Sequence, residues 1–317
     1  MADIIDLLDA DVAAMVRALR AAGRGPLHTL GVAGARALGA AGRQPPAPEM
    51  AEVTDTSFDG PHGPVPVRGY RPHGVATGGA PAIVYFHGGG MIMGSIAMFD
   101  SLARHLAAAC AAVVLSVEYR LAPEHPYPVA TDEGYAALLW ATAQAGARGI
   151  DPARLAVAGD SAGGSLAAGV TLRARDENGP PVAAQLLLYP GLERDVDRPS
   201  VTELADAPML TRDDITWMKN LYLGEDPAAD TAYGVPALAT DLSGLPPAIV
   251  VSAQADPLRD GVEDYGQRLR AAGVRTALLR YPGVCHGFLS HTGLIARAQA
   301  AMTDIGALTR GWLGGTP

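Results

Sequence analysis

Apolar residues recur at helical spacing from the start of the chain. Ile4, Leu7, Leu8, Val12, Met15, Val16 and Leu19 form one stripe and predict a helix over about residues 4–22. A stretch rich in glycine and proline follows, to about residue 46, and lies outside any sheet the pattern predicts. From about residue 51, short apolar runs alternate with helical segments. Runs at 81–86, 112–117, 154–158, 184–189, 248–252 and 276–281 read as buried strands. Segments 99–111, 129–145, 162–175, 259–272 and 294–313 read as helices. Strands that are apolar on both faces, alternating with helices, predict an α/β fold. Its central sheet is mostly parallel, helices cover both faces, and the crossovers are right-handed. Residues 193–236 break the alternation, being polar and irregular with a helical centre near 213–222. A long insertion at the carboxyl edge of such a sheet tends to shape a ligand site.

Composition narrows the classes. Of 317 residues, 49% are hydrophobic and 18% charged, which supports a sizeable buried core and excludes a disordered chain. The net charge of −9 is spread along the chain without a basic run, so no nucleic-acid partner is expected. No apolar run reaches the length of a membrane span. The first residues carry acids where a secretory signal needs positive charge, so a cytoplasmic location is expected. The two cysteines, Cys110 and Cys285, are too few for a disulfide framework and read as reduced packing thiols. No metal-ligand spacing occurs, so no metal site is expected.

The chemistry-bearing motif is Gly159-Asp160-Ser161-Ala162-Gly163, set between an apolar strand and a helix. A serine there sits on a tight strand-to-helix turn with its hydroxyl above the sheet, and Gly159 and Gly163 permit the close backbone approach the turn needs. The pentapeptide alone is weak in a chain with 38 glycines; its strand-turn-helix context carries the reading. Acyl transfer builds negative charge on the former carbonyl oxygen, and losing one donor to it typically costs ~100- to 1,000-fold. The N–H of Ala162 at a helix N-terminus is one candidate donor. Gly88 and Gly89, in the His87-Gly88-Gly89-Gly90 loop after a strand, are expected to supply the others. His87 itself reads as a residue that holds this loop. Asp256 and His286 each follow a later strand, in the order nucleophile, acid, histidine. His286 is the expected base and Asp256 its orienting partner. Asp260 and Asp264 fall in or near the next helix. His28, His62, His73, His105, His125 and His291 lack a matching post-strand position and read as surface or packing residues.

Five motifs occur in order along the chain: HGGG at 87–90, YRLAPEHPYP at 119–128, GDSAGG at 159–164, DPLRD at 256–260 and HGF at 286–288. Together they resemble the hormone-sensitive-lipase family (bacterial family IV) of esterases, on the α/β-hydrolase fold. The resemblance spans about residue 51 to the end. It implies the same triad of Ser161, Asp256 and His286, with Gly88, Gly89 and Ala162 as oxyanion donors. It also implies a helical cap. The expected division is 1–46 as the N-terminal cap segment, 47–192 as the first part of the core, 193–226 as the cap insertion and 227–317 as the rest of the core. The implied reaction is hydrolysis of short- to medium-chain carboxylic esters without a cofactor, in a homodimer paired through the last strand. Met91 after HGGG and Ser165 after GDSAGG depart from the family's usual aromatic residue and asparagine, which bears on pocket shape. An amidase or thioesterase using the same triad, a long-chain lipase, or a non-catalytic receptor on this fold are the alternative readings.

Overall fold

The protein is described from a computed structural model covering residues 4–41, 45–194, 196–227 and 230–314. Its strands are β1 (Met50–Gly60), β2 (Gly63–Pro72), β3 (Ala80–Phe86), β4 (Val113–Val117), β5 (Ile150–Asp160), β6 (Gln185–Leu188), β7 (Ala248–Ala255) and β8 (Thr276–Cys285). They form one eight-stranded sheet in the order β1-β2-β4-β3-β5-β6-β7-β8. The pairs β1–β2 and β2–β4 are antiparallel, and from β4 to β8 all neighbours are parallel.

Successive residues of the inner strands point to opposite faces, and both faces are buried. Val84, Phe86, Val157 and Val250 enter one apolar layer, completed by α4 (Val129–Ala143), α5 (Ala162–Asp176) and α8 (Arg259–Ala271). Ile83, Tyr85, Ala156 and Ile249 enter the other, beneath α3 (Asp100–Cys110) and α9 (Ala296–Leu313). Full burial of each such aliphatic or aromatic side chain contributes ~1.5–3 kcal/mol, which makes these strands read as unbroken apolar runs.

The hairpin β1–β2 escapes the apolar pattern. Most of β1 is exposed, and its residues alternate weakly. The first helix is also shorter than its stripe suggests. Leu8 forms a parallel bridge with Gly283, and the Asp9 N–H donates to the Gly283 carbonyl at 2.8 Å. This pairing interrupts the helix, leaving a 3-10 turn at Ile4–Leu7 before α1 (Ala10–Ala21). Val12, Ala13 and Val16 are buried, whereas Leu7 is exposed. A second helix, α2 (Gly31–Ala41), forms within the glycine-rich stretch. The 193–236 insertion contains α6 (Pro199–Glu203) and α7 (Arg212–Leu223). Thr211 and Asp214 start α7 with a reciprocal capping box, each side chain accepting from the other's backbone N–H at 3.1 Å.

Candidate active site

Parallel strands deliver their carboxyl ends to one edge of the sheet. Ser161, Asp256 and His286 each stand one residue past such an end, on β5, β7 and β8. Ser161 has φ +53° and ψ −120°, a conformation costly for a residue with a side chain. The fold imposes it by pressing strand, turn and helix together. A Cβ at Gly159 would overlap the Gly163 carbonyl, and one at Gly163 would overlap the Phe86 carbonyl. The Ser161 N–H is tied to the Leu188 carbonyl of the neighbouring strand at 2.8 Å.

The three side chains form one hydrogen-bonded line. Ser161 Oγ lies 2.8 Å from His286 Nε2, and His286 Nδ1 lies 2.8 Å from Asp256 Oδ2. Asp256 is fully buried, and its other oxygen accepts from the Leu258 N–H at 2.9 Å. The Tyr189 ring meets the His286 ring edge-on at 5.2 Å between centroids, fixing the imidazole from the side. Asp260, the rival acid, is engaged elsewhere: it accepts from the Ser200 N–H at 2.8 Å and pairs with Arg259. Ser165, one turn into α5, donates to the Gly191 carbonyl at 2.6 Å.

The glycine loop requires a correction. Gly88 was expected to present its N–H to an oxyanion, but that N–H donates to Asp160 Oδ1 at 2.9 Å. The same oxygen accepts from the Tyr85 hydroxyl at 2.6 Å. Among the described residues, the N–H groups of Gly89, Gly90 and Ala162 have no hydrogen-bond acceptor. Gly89 has φ +115°, and a Cβ there would overlap the Met93 carbonyl, so only glycine fits this bend. Two further residues hold the loop. His87 is fully buried, stacks on Tyr119 at 4.4 Å, and accepts a hydrogen bond from the Tyr119 hydroxyl at its carbonyl at 2.6 Å. Burial lowers its pKa to about 4, so it is neutral and serves as a post. The Ala122 N–H donates to the Met91 carbonyl at 2.8 Å, which gives the 119–128 motif its function as a buttress.

Asp160 was not singled out as a site residue, although it adjoins the nucleophile. It is buried, and burial raises its pKa to about 6 against the lowering effect of the Tyr85 and Gly88 hydrogen bonds.

Comparison with known proteins places the chain in a family. A family profile described as an alpha/beta hydrolase fold matches residues 83–290. Esterase LipI of Mycobacterium tuberculosis is 43% identical over 264 residues, covering 82% of this chain and 81% of that protein. Carboxylesterase NlhH of the same organism is 44% identical over 250 residues, covering 78% of each. The chain belongs to the hormone-sensitive-lipase family of carboxylic-ester hydrolases. An ester-hydrolase from the metagenome of Lake Arreo, solved with a derivative of bipyridine phosphonate, shares this family's fold. It superposes with a TM-score of 0.92 at 38% identity, over 97% of this chain and all of that one.

In this family member one cavity reaches Ser161 and another reaches His286. One, of about 560 Å³ and open to solvent, is bounded by Gly90, Met91, Ser161 and Ala162 on the sheet side and by Met218 and Tyr222 of α7 above. The other, about 1220 Å³ and also open, is bounded by Met93, Phe99, His286 and His291, with Leu19, Arg24 and Leu38 from the N-terminal segment. His291 was assigned to packing or the surface, yet it lines this second cavity beside the base. Cys110 and Cys285 are free and buried, and burial pushes both thiols up to about 12. No helix among the described residues is long and apolar enough to cross a membrane.

Proposed function

We propose that the protein is a serine carboxylesterase acting on short- to medium-chain esters through an acyl-enzyme, with Ser161 as nucleophile, His286 as base and Asp256 as its partner. The observation that carries this reading is the continuous line from Ser161 through His286 to the buried Asp256. His286 accepts the Ser161 proton at Nε2 as Oγ bonds to the ester carbonyl carbon. Asp256 holds the Nδ1 proton in place and stabilises the cation so formed. The N–H groups of Gly89, Gly90 and Ala162 receive the oxyanion. When the intermediate collapses, the carbon–alkoxide bond breaks and His286 gives its proton to the departing oxygen. Water then attacks the acyl-enzyme, yielding a proton to His286, which returns it to Ser161 as the carboxylic acid leaves.

The proton path assigns the cavities. The leaving oxygen must lie against His286, so the alcohol occupies the larger cavity and the acyl chain the smaller one. The smaller acyl cavity, bounded above by Met218 and Tyr222, favours short and medium chains. Residues 1–46 and 193–226 form a cap in this reading, the first over the alcohol side and the second over the acyl side. Residues 1–3, 42–44 and 195 of these segments lie outside the described residues. The reading includes a homodimer paired through β8. Among the described residues, Leu8 bridges the outer edge of β8 at Gly283, leaving residues 276–281 to pair, and light scattering of the purified protein tests this.

The functional test is hydrolysis of p-nitrophenyl esters from acetate to palmitate by wild type and Ser161→Ala. Preference for short chains, lost in the variant, supports the reading. Turnover that survives in the variant overturns it. Matched amides and thioesters in the same assay separate the other acyl-transfer activities.

A further inference from the structure

We propose that the alcohol side of the site takes esters whose leaving group carries a carboxylate, and that Arg24 is the residue that receives it. This rests on the esterase reading above, and specifically on the leaving group lying against His286.

Arg24 follows α1, where its N–H donates to the Leu19 carbonyl at 3.1 Å and anchors the backbone. Its half-buried side chain lines the cavity that His286 and His291 also line, together with Met93, Phe99 and Leu294. It lines the adjoining cleft beneath residues 206–214 as well, so it stands at the boundary of the two. Most arginines near the site are paired: Arg36 with Glu124, Arg198 with Glu193, Arg259 with Asp260. Among the described residues, no acceptor lies within hydrogen-bond distance of the Arg24 guanidinium.

The groups around it explain why it stays unpaired. Asp214 is the acid that interacts with it most, but that carboxylate is committed. Its Oδ1 accepts from the His28 N–H at 2.8 Å and lies 2.9 Å from His28 Nδ1, and its Oδ2 accepts from the Thr211 N–H at 3.1 Å. Cys285 also lies in its field, but burial keeps that thiol protonated. His291 is held toward its neutral form by burial, and by Arg24 itself. The result is a partly desolvated cation with five N–H donors, lining the same largely apolar cavity as His286. A cation so placed is costly without a partner. A carboxylate on the substrate would meet its planar fork with two parallel hydrogen bonds. The chain's net charge of −9 would otherwise disfavour an anionic substrate, so the local charge has a selective effect.

The test uses two acetate esters that give the same acetyl-enzyme, 4-acetoxybenzoate and its neutral methyl ester. Their ratio of kcat/KM reports only the acylation half, where the leaving group is present. Arg24→Met is expected to lower the anionic-to-neutral ratio about tenfold. Arg24→Lys should keep part of the preference, and added salt should narrow it in wild type. As a readout independent of turnover, 4-hydroxybenzoate should inhibit wild type competitively and Arg24→Met about tenfold more weakly. A ratio unchanged in Arg24→Met, or an equal fall for both esters, overturns the proposal. If wild type cleaves the neutral ester in a Ser161-dependent way while Arg24 has no effect on the ratio, only this inference fails. If it cleaves neither ester, the esterase reading fails and this inference with it.

Discussion

On the sheet side of the site, Ser161, Asp256 and His286 follow the ends of parallel strands, and hydrogen bonds to neighbouring strands and loops hold them. On the opposite side, the residues that bound the two cavities come from α1, α2, α7 and irregular chain between them. The first region is set by backbone geometry: β5 pairs with β6 up to Asp160, and β7 pairs with β8 up to Ala255 and Cys285 across a register shift after Ala253. The second is set by side chains such as Leu19, Leu38 and Met218, which meet only through tertiary packing. In the proposed reading the contrast separates two jobs: the sheet edge performs acyl transfer, and the cover selects what reaches it.

The largest effects should therefore come from the sheet edge. His286→Ala is expected to lower kcat about a millionfold, and combining it with Ser161→Ala should cost little more, because the residues act as a unit. Asp256→Asn, which disturbs the imidazole tautomer, should cost about ten-thousandfold. Additive losses in the double variant would break the idea of a single catalytic unit.

Asp160 tests how the glycine loop is held. Asp160→Ala strands the Gly88 N–H and the Tyr85 hydroxyl, at about 1–3 kcal/mol for each buried donor. It should also reduce kcat by about a hundredfold as the amides of the next two glycines drift. Asp160→Asn retains an oxygen that can accept both hydrogen bonds, and should keep most stability and activity. Its pH response is more informative. Burial raises the Asp160 pKa from 3.8 to about 6, so its contribution to stability is full below 3.8 and is lost as pH rises through about 6. The His87 pKa falls from 6.5 to about 4, so its contribution is present above 6.5 and is lost as pH falls through about 4. Between about 4 and 6 the two slopes oppose each other. In Asp160→Asn the His87 slope is unopposed, so Tm should fall more steeply on acidification than in wild type. Parallel Tm curves would refute this assignment.

The cover should give smaller and more selective changes. Met218→Ala enlarges the acyl cavity and should raise kcat/KM for longer acyl chains by about tenfold, with little change for acetate. A uniform loss across chain lengths would mean that α7 supports the site rather than sizing it. Smallest of all, Cys285→Ala should leave activity within about threefold, since that thiol is buried and protonated. A thousandfold loss would give Cys285 a role beyond packing.

The same division governs what the amino-acid order reveals. The inner strands, and the juxtaposition of Ser161, His286 and Asp256, were legible because two-sided burial writes apolar runs and these residues follow those runs directly. The hairpin β1–β2 was not, since an exposed antiparallel edge places few constraints on its side chains. Helix α2 was hidden by the three glycines in its span. Gly88 was assigned one position off for a similar reason. Which amide of three adjacent glycines is free depends on Asp160, 72 residues away, and nothing local signals that contact. Arg24 and His291 gain their place in the alcohol cavity only when the N-terminal segment folds over the β8 end.

The most direct test of the central claim is to treat the protein with a p-nitrophenyl phosphonate and locate the adduct by intact mass and peptide mapping. The account predicts one adduct, on the peptide containing Ser161, absent in Ser161→Ala and formed far more slowly in His286→Ala. A stoichiometric adduct on Ser161→Ala, or one mapped to another residue of wild type, would contradict it.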